Sequence, residues 1–243
     1  MHKPLATRPS RRELLRIDGR PVEVTMRLNP RARRLIVKVH PSTGEVTVVA
    51  PSQRALDRAL DFARGEAPWI ARQLARVPAP VAFRPGARVP YQGTDHLIVR
   101  SESGRGPVVR DGEARTIAVG GRDEHVRRRL MDFLKQEARR LLEARSHDFA
   151  ARIDARVRRV SVRDTASRWG SCSARKTISY SWRLVLAPEF VADYVVAHEV
   201  AHLRELNHGP GFWRLVRVLV SDIESPQDWL RKHGTALHRY GAG

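Results

Sequence analysis

Cysteine, lysine and long apolar runs are what this chain has least of. A single cysteine, Cys172, among 243 residues excludes an intrachain disulfide framework and suits a reducing compartment. No apolar run approaches the roughly 18 residues that a membrane span needs. The basic stretch from Met1 to Arg20 has no apolar h-region. The expectation is therefore a cytoplasmic protein with no membrane partner and no secretory leader. A Walker-type glycine-rich loop, internal repeats and low-complexity tracts are also missing. Lysine supplies only five of the 45 basic residues, the rest being arginine, and the net charge is +19. Such a charge raises nucleic acid as a partner. The arginines are scattered, however, and neither an RNA-binding signature nor a helix-turn-helix pattern accompanies them, so no motif supports it.

What is present is chemically specific. His198-Glu199-Val200-Ala201-His202 is an H-E-x-x-H motif in a stretch with helical character. Residues four apart share a helix face, so His198 and His202 can grip one zinc ion while Glu199 reaches the water that such an ion activates. Zinc lowers the pKa of water from about 15.7 to about 7, and a neighbouring carboxylate can take the proton. Pro188 and Glu189 supply a helix start. Val191, Tyr194, Val195, Val196, Val200, Leu203 and Leu206 supply a broad apolar face. Asn207-His208-Gly209-Pro210-Gly211 reads as a helix stop, which lets the chain turn and bring His208 back as a third ligand. Glu205 is the rival ligand. In a straight helix it lies about 10.5 Å of rise from His198, too far to share an ion easily, so it is expected beside the site. Three protein ligands leave a fourth position open, as in catalytic rather than structural zinc sites.

The rest of the chain patterns as follows. Apolar–polar alternation predicts strands at 14–17, 22–28, 35–40 and 45–50, with Asp18-Gly19 and Ser42-Thr43-Gly44 as turns. Helices are expected at 54–62 and 67–74, then a Pro-rich linker at 77–85. Strands follow at 89–92, 94–99 and 116–119, with a polar loop at 101–106. One long helix spans 122–153, its arginine-rich side reading as solvated. Strands at 159–163 and 177–186 lead into the motif helix, and helices at 211–221 and 227–237 close the chain. Between them, Gly170 in Arg168-Trp169-Gly170-Ser171-Cys172-Ser173 suggests a close backbone approach lining the cleft. Arg168 suits a carboxylate or phosphate clamp; the alternative is a structural pair with Asp164 or Asp193, with Trp169 in the core. Cys172 reads as a buried thiol rather than a ligand.

Taken in order, Arg168–Ser173, Trp182-Arg183-Leu184, His198–Leu203, Asn207-His208 and Phe212-Trp213 resemble the YgjP-like metal-dependent hydrolases, which group with SprT-like and other zincin-type metallopeptidase domains. The likeness is strongest over 160–215 and extends weakly to Arg31–His40 and Trp69-Ile70. It implies zinc on His198, His202 and His208, with Glu199 as the catalytic residue; Arg168 and Arg183 are candidate substrate contacts. Three positions depart from the pattern: Val200 replaces Leu, Gly209 replaces Ser and Ser181 replaces Asn. The implied fold is α+β. A flexible basic segment (1–20) and a β-rich region (21–120) would precede a zincin-like domain (121–243) built of a long helix, a short sheet and the H-E-x-x-H helix. The implied activity is a zinc metallopeptidase acting on peptide or protein, with Tyr180, Tyr194 or His233 as oxyanion-stabilising candidates. The family's association with UTP hydrolysis makes a nucleoside triphosphate pyrophosphatase the alternative. A basic nucleic-acid module with structural zinc is a third reading, disfavoured by the open ligand set.

Overall fold

The computed structural model describes residues 10–40, 43–77, 79–101, 104, 106–165 and 168–241. Two compact units emerge, Met1–Ala79 and Pro80–Gly243, each with its own core. Ser42 of one expected turn, parts of the 77–85 and 101–106 segments and residues 1–9 lie outside the described residues.

In the first unit, β1 (Ser10–Ile17) and β2 (Arg20–Leu28) form an antiparallel hairpin. Its turn residues Asp18 and Gly19 both take positive φ, 48° and 76°, the backbone that an Asp-Gly hairpin turn requires. With β3 (Ile36–Val39) and β4 (Val46–Ala50) the sheet runs β1-β2-β4-β3, β2 and β4 being parallel. Alternation along the strands sends Val24, Met26, Val46 and Val48 into a core completed by Ala59, Ala63 and Ile70 from α2 (Ala59–Gly65) and α3 (Ala67–Leu74). The short α1 (Gln53–Asp57) precedes them, its first turn capped by the Ser52 hydroxyl. The expected helix at 54–62 is thus two pieces that meet at Arg58. β1 also places ordered structure within the stretch expected to be flexible.

The second unit opens with β5 (Arg88–Tyr91), β6 (Thr94–Arg100), β7 (Val109–Asp111) and β8 (Thr116–Val119), ordered β5-β6-β8-β7. Val89, Ile98, Ile117 and Val119 join one core with Val126, Leu130 and Leu134 of α4 (Asp123–Arg152). This sheet therefore belongs with the long helix, and the chain divides near 79 rather than at 120. A three-stranded sheet follows, made of β9 (Arg159–Arg163), β10 (Gly170–Cys172) and β11 (Thr177–Ser181) in the order β10-β11-β9. The strand expected to run to 186 stops at Ser181, because Trp182–Val185 winds into a 3-10 turn. Ile178, Tyr180, Trp182 and Leu184 pack with Val196 and Val200 of α5 (Glu189–Ala201) and with Phe212 and Val216 of α6 (Pro210–Leu219). The last helix, α7, spans Glu224–Leu237. The protein is α+β, β-rich at its N-terminal end, and among the described residues no helix is long and apolar enough to cross a membrane.

Candidate metal centre and active site

His198 lies in the last turn of α5, and His202 is the residue that caps its C-terminus. Beyond it the chain tightens, Leu203 N–H bonding to Val200 O and Arg204 N–H to Ala201 O. The helix therefore ends at Ala201, six residues before the expected stop at Asn207. Leu206 leaves the apolar face and is 64% exposed, a correction to the buried role expected of it. The loop then delivers His208 immediately before Gly209 and Pro210 start α6. One ligand nitrogen from each of His198, His202 and His208 can be chosen so that all lie within 4.8 Å of one another.

The nitrogens are aimed as well as close. His198 Nε2 and His208 Nε2 are 3.1 Å apart, near the roughly 3.3 Å edge of a tetrahedral Zn–N site. His202 Nδ1 lies 2.9 Å from the Glu205 carbonyl oxygen; that oxygen can only accept, so Nδ1 carries the proton and Nε2 keeps its lone pair for an ion. Glu205 thus serves through its backbone, as an orienting partner beside the site. Burial, then the neighbouring His202 and His208, pushes His198 down to about 4. Burial likewise lowers His202, partly offset by the Glu205 carbonyl. These two imidazoles are neutral at ordinary pH, the form that binds metal. Beneath them Phe212, fully buried, has its ring centroid 4.9, 4.6 and 4.6 Å from those of His198, His202 and His208. One apolar platform thus fixes all three rings. The donor set and its spacing fit a divalent ion such as zinc.

Glu199 faces β10. A Cβ built on Gly170 would fall 2.6 Å from both Glu199 Cγ and Oε1, so only glycine lets the strand lie against this carboxylate. The Cys172 backbone N–H donates to the carboxylate, and the Arg168 charge favours its ionised form; burial outweighs both and pushes Glu199 up to about 7. The Cys172 thiol is raised to about 11 by burial and by the Glu199 charge, and it lies outside the histidine cluster. Its contribution is the backbone N–H, which no side-chain pattern reveals.

The other expected site residues separate. Arg168 is exposed and near enough to Glu199 to act on it. Its proposed structural partners are engaged elsewhere, Asp164 by Arg183 and Asp193 by Arg145. Arg183 is not placed as a substrate contact. It is 5% exposed, paired to Asp164, bonded to the Tyr240 carbonyl at 3.3 Å and laid over the Trp182 ring at 4.7 Å; it fastens the core. Trp169 is half-buried against His238. Tyr180 is fully buried with its hydroxyl 2.9 Å from Ser146 Oγ, and the exposed His233 stacks on Trp229. Of the three oxyanion candidates, Tyr194 alone is in ring contact with a cluster histidine, 6.1 Å from His198, and its hydroxyl accepts from Gln227 Nε2 at 2.7 Å.

The sequence profile of the YgjP-like metallopeptidase domain matches residues 33–233, which includes every residue of this centre. The chain belongs to the YgjP-like metallopeptidase-domain family. The YgjP-like chain is thereby a metal-dependent hydrolase. No curated protein matches it. Among solved structures, the metallopeptidase zymogen abylysin of Pyrococcus abyssi is similar at 23% identity and a TM-score of 0.33, over 42% of this chain and 97% of that one. A superposition that loose carries no argument about shape or activity.

Proposed function

We propose that this YgjP-like protein is a zinc-dependent peptidase in which His198, His202 and His208 hold the metal and Glu199 is the general base. The observation that carries the reading is the convergence of three histidine nitrogens within 4.8 Å beside the Glu199 carboxylate, which the Gly170 backbone abuts. Bound there, zinc supplies Lewis-acid chemistry, acidifying water and polarising a carbonyl. The protein's own residues do the rest. Glu199 takes the proton of the attacking water and returns it to the departing amine. The Cys172 N–H and the Gly170 backbone hold that carboxylate in one place, so it is already oriented when substrate arrives. Phe212 and the Glu205 carbonyl keep the imidazoles in their ligand orientation.

The test compares the zinc-loaded protein with its Glu199→Gln variant on unfolded-protein and peptide substrates and on a nucleoside triphosphate panel. Peptide cleavage that falls by about 10²–10⁴-fold in the variant, the usual share of a general base, is the expected result. Pyrophosphate release with peptides left intact, lost in the same variant, would transfer this site to triphosphate hydrolysis.

A further inference from the structure

A cavity opens on the flank of the histidine cluster. Trp213 follows Phe212 on α6, and its ring centroid lies 6.1 Å from that of His198 and 6.2 Å from that of His208. The same indole lines a cavity of about 500 Å³ where α6 turns into α7, together with Arg217, Asp222, Ile223, Glu224 and Gln227. The α7 wall is tied to the cluster as well. Gln227 Nε2 donates to the Tyr194 hydroxyl at 2.7 Å, and Tyr194 is in ring contact with His198. The cavity thus begins one ring beyond the ligands. At about 3.3 Å per residue of extended chain, a substrate side chain about two positions from the attacked bond reaches it.

Its walls differ in kind. Trp213 and Ile223 are half-buried and packed against the core, so the apolar wall is fixed. Asp222, Glu224 and Arg217 are exposed at the mouth, and among the described residues none of the three has an ion-pair partner. Asp222 accepts from the backbone N–H groups of Glu224 and Ser225 at 3.0 and 3.1 Å, which fixes its carboxylate at the start of α7. In a chain of net charge +19, residues 218–230 hold Asp222, Glu224 and Asp228 but no lysine or arginine. The local charge is therefore opposite to that of the whole molecule. Tryptophan is also the ring that attracts a cation best. Tyr91, Phe149, Trp182 and Tyr240 each carry one of the protein's own arginines over the ring. Among the described residues no guanidinium lies over Trp213, although Arg217 stands one turn along the same face of α6.

We propose that this cavity is a subsite for a basic side chain of a peptide substrate. Arginine or lysine stacks on Trp213 with its charge held by Asp222 and Glu224, while the bond about two residues away is presented to the histidine centre. The proposal rests on the peptidase reading for its consequence, and on the indole and the two carboxylates for its occupant. Arg217 opposes one of those carboxylates, so it limits the preference. An aliphatic occupant would use Trp213 and Ile223 and be indifferent to the carboxylates, which is where the two differ experimentally.

Peptides with one cleavable core and one variable position, walked along both flanks and filled with Arg, Gln or Leu, test it on the zinc-loaded full chain. A cation over an exposed ring contributes about 2- to 5-fold and an exposed ion pair about 1.4- to 5-fold. One position should therefore show a KM about 10-fold lower for Arg than for Gln, with kcat alike. The protein's overall charge disfavours Arg at every position, so a preference confined to one of them reports a local site. The Asp222→Asn/Glu224→Gln double variant, in which Asn keeps the cap on α7, should cut the preference to about 2-fold or less. Arg217→Gln should raise it. Fluorescence anisotropy of the same labelled peptides on the zinc-loaded Glu199→Gln variant reads the cavity without turnover. If the wild type cleaves nothing but the Arg peptide still binds about 10-fold tighter, and the added double substitution removes this, the peptidase reading fails and the subsite stands. Equal KM and equal binding for Arg and Gln at every position would overturn the proposal. So would Leu favoured over Arg and unaffected by the double substitution, which would make the cavity an apolar subsite.

Discussion

Gly170 carries no side chain because Glu199 occupies the space that one would need. In Gly170→Ala the new Cβ would sit 2.6 Å from Glu199 Cγ, so the carboxylate must swing off the Cys172 N–H. We expect kcat to fall by about 10²–10⁴-fold with zinc affinity unchanged, measured by chelator competition on the same preparation; retained turnover would show that the base tolerates the shift. The ligand assignment has its own test in a pair of substitutions. His208→Ala removes a nitrogen of the cluster and should weaken zinc binding by more than the roughly 10–100-fold typical of an outer partner. Glu205→Ala keeps the carbonyl that accepts from His202 and should leave affinity nearly unchanged. The reverse order would discard the assignment. At this scale His198, Glu199, His202 and His208 were legible because metal ligation demands particular side chains at particular spacing. The Cys172 N–H and the Glu205 carbonyl were not, since every residue has a backbone and only the fold decides whose is used.

Among the elements, α4 and α5 were read nearly whole, while β7, β10 and the 3-10 turn at Trp182–Val185 were missed. β7 and β10 are three residues each, too short to show a period, and they exist because a neighbouring strand supplies their hydrogen bonds. The apolar run after Ser181 satisfies a strand and a buried turn equally, and packing chose the turn. One link between elements predicts a pH response. Tyr91 on β5 donates its hydroxyl to Glu137 Oε2 on α4 at 2.6 Å, and the same carboxylate accepts from Arg140 Nη2 at 2.9 Å. The Arg140 hydrogen bond is the main reason that Glu137 titrates below the ordinary carboxylate range. A lowered folded pKa means that the stabilisation is present above the unfolded value of about 4.3 and is lost as pH falls through the folded one. Thermal melts from pH 7 to pH 3 should therefore show a shallower acid loss for Glu137→Gln than for wild type. Parallel curves would mean that the link adds nothing.

For the whole molecule, the second core draws only on residues from Phe83 onward and the first only on residues up to Leu74. The histidine cluster and Glu199 lie in the second. A fragment of residues 80–243 should consequently fold cooperatively and bind zinc within about threefold of the full chain, since its ligands' surroundings are complete. A fragment that stays unfolded by circular dichroism would show that the first unit is needed for the second. Metal linkage gives a further check. Zinc at a hundred times its Kd should add about 2.7 kcal/mol to stability, seen as a chelator-sensitive rise in melting temperature that His208→Ala loses. The net charge of +19 had offered no position for a partner.

The sequence alone marked the candidate ligands and base: a histidine pair at helical spacing, the glutamate between them and a third histidine after a turn. It also determined most regular elements, because side-chain period and Gly/Pro placement are local properties. Tertiary structure decided which groups meet. It assigned Asp164 to Arg183 instead of Arg168, set Phe212 under all three imidazoles, joined β5–β8 to the core of α4 and brought Gly170 against Glu199. Each of these is a contact between residues distant in sequence, and such contacts follow from the packing of whole elements rather than from local spacing.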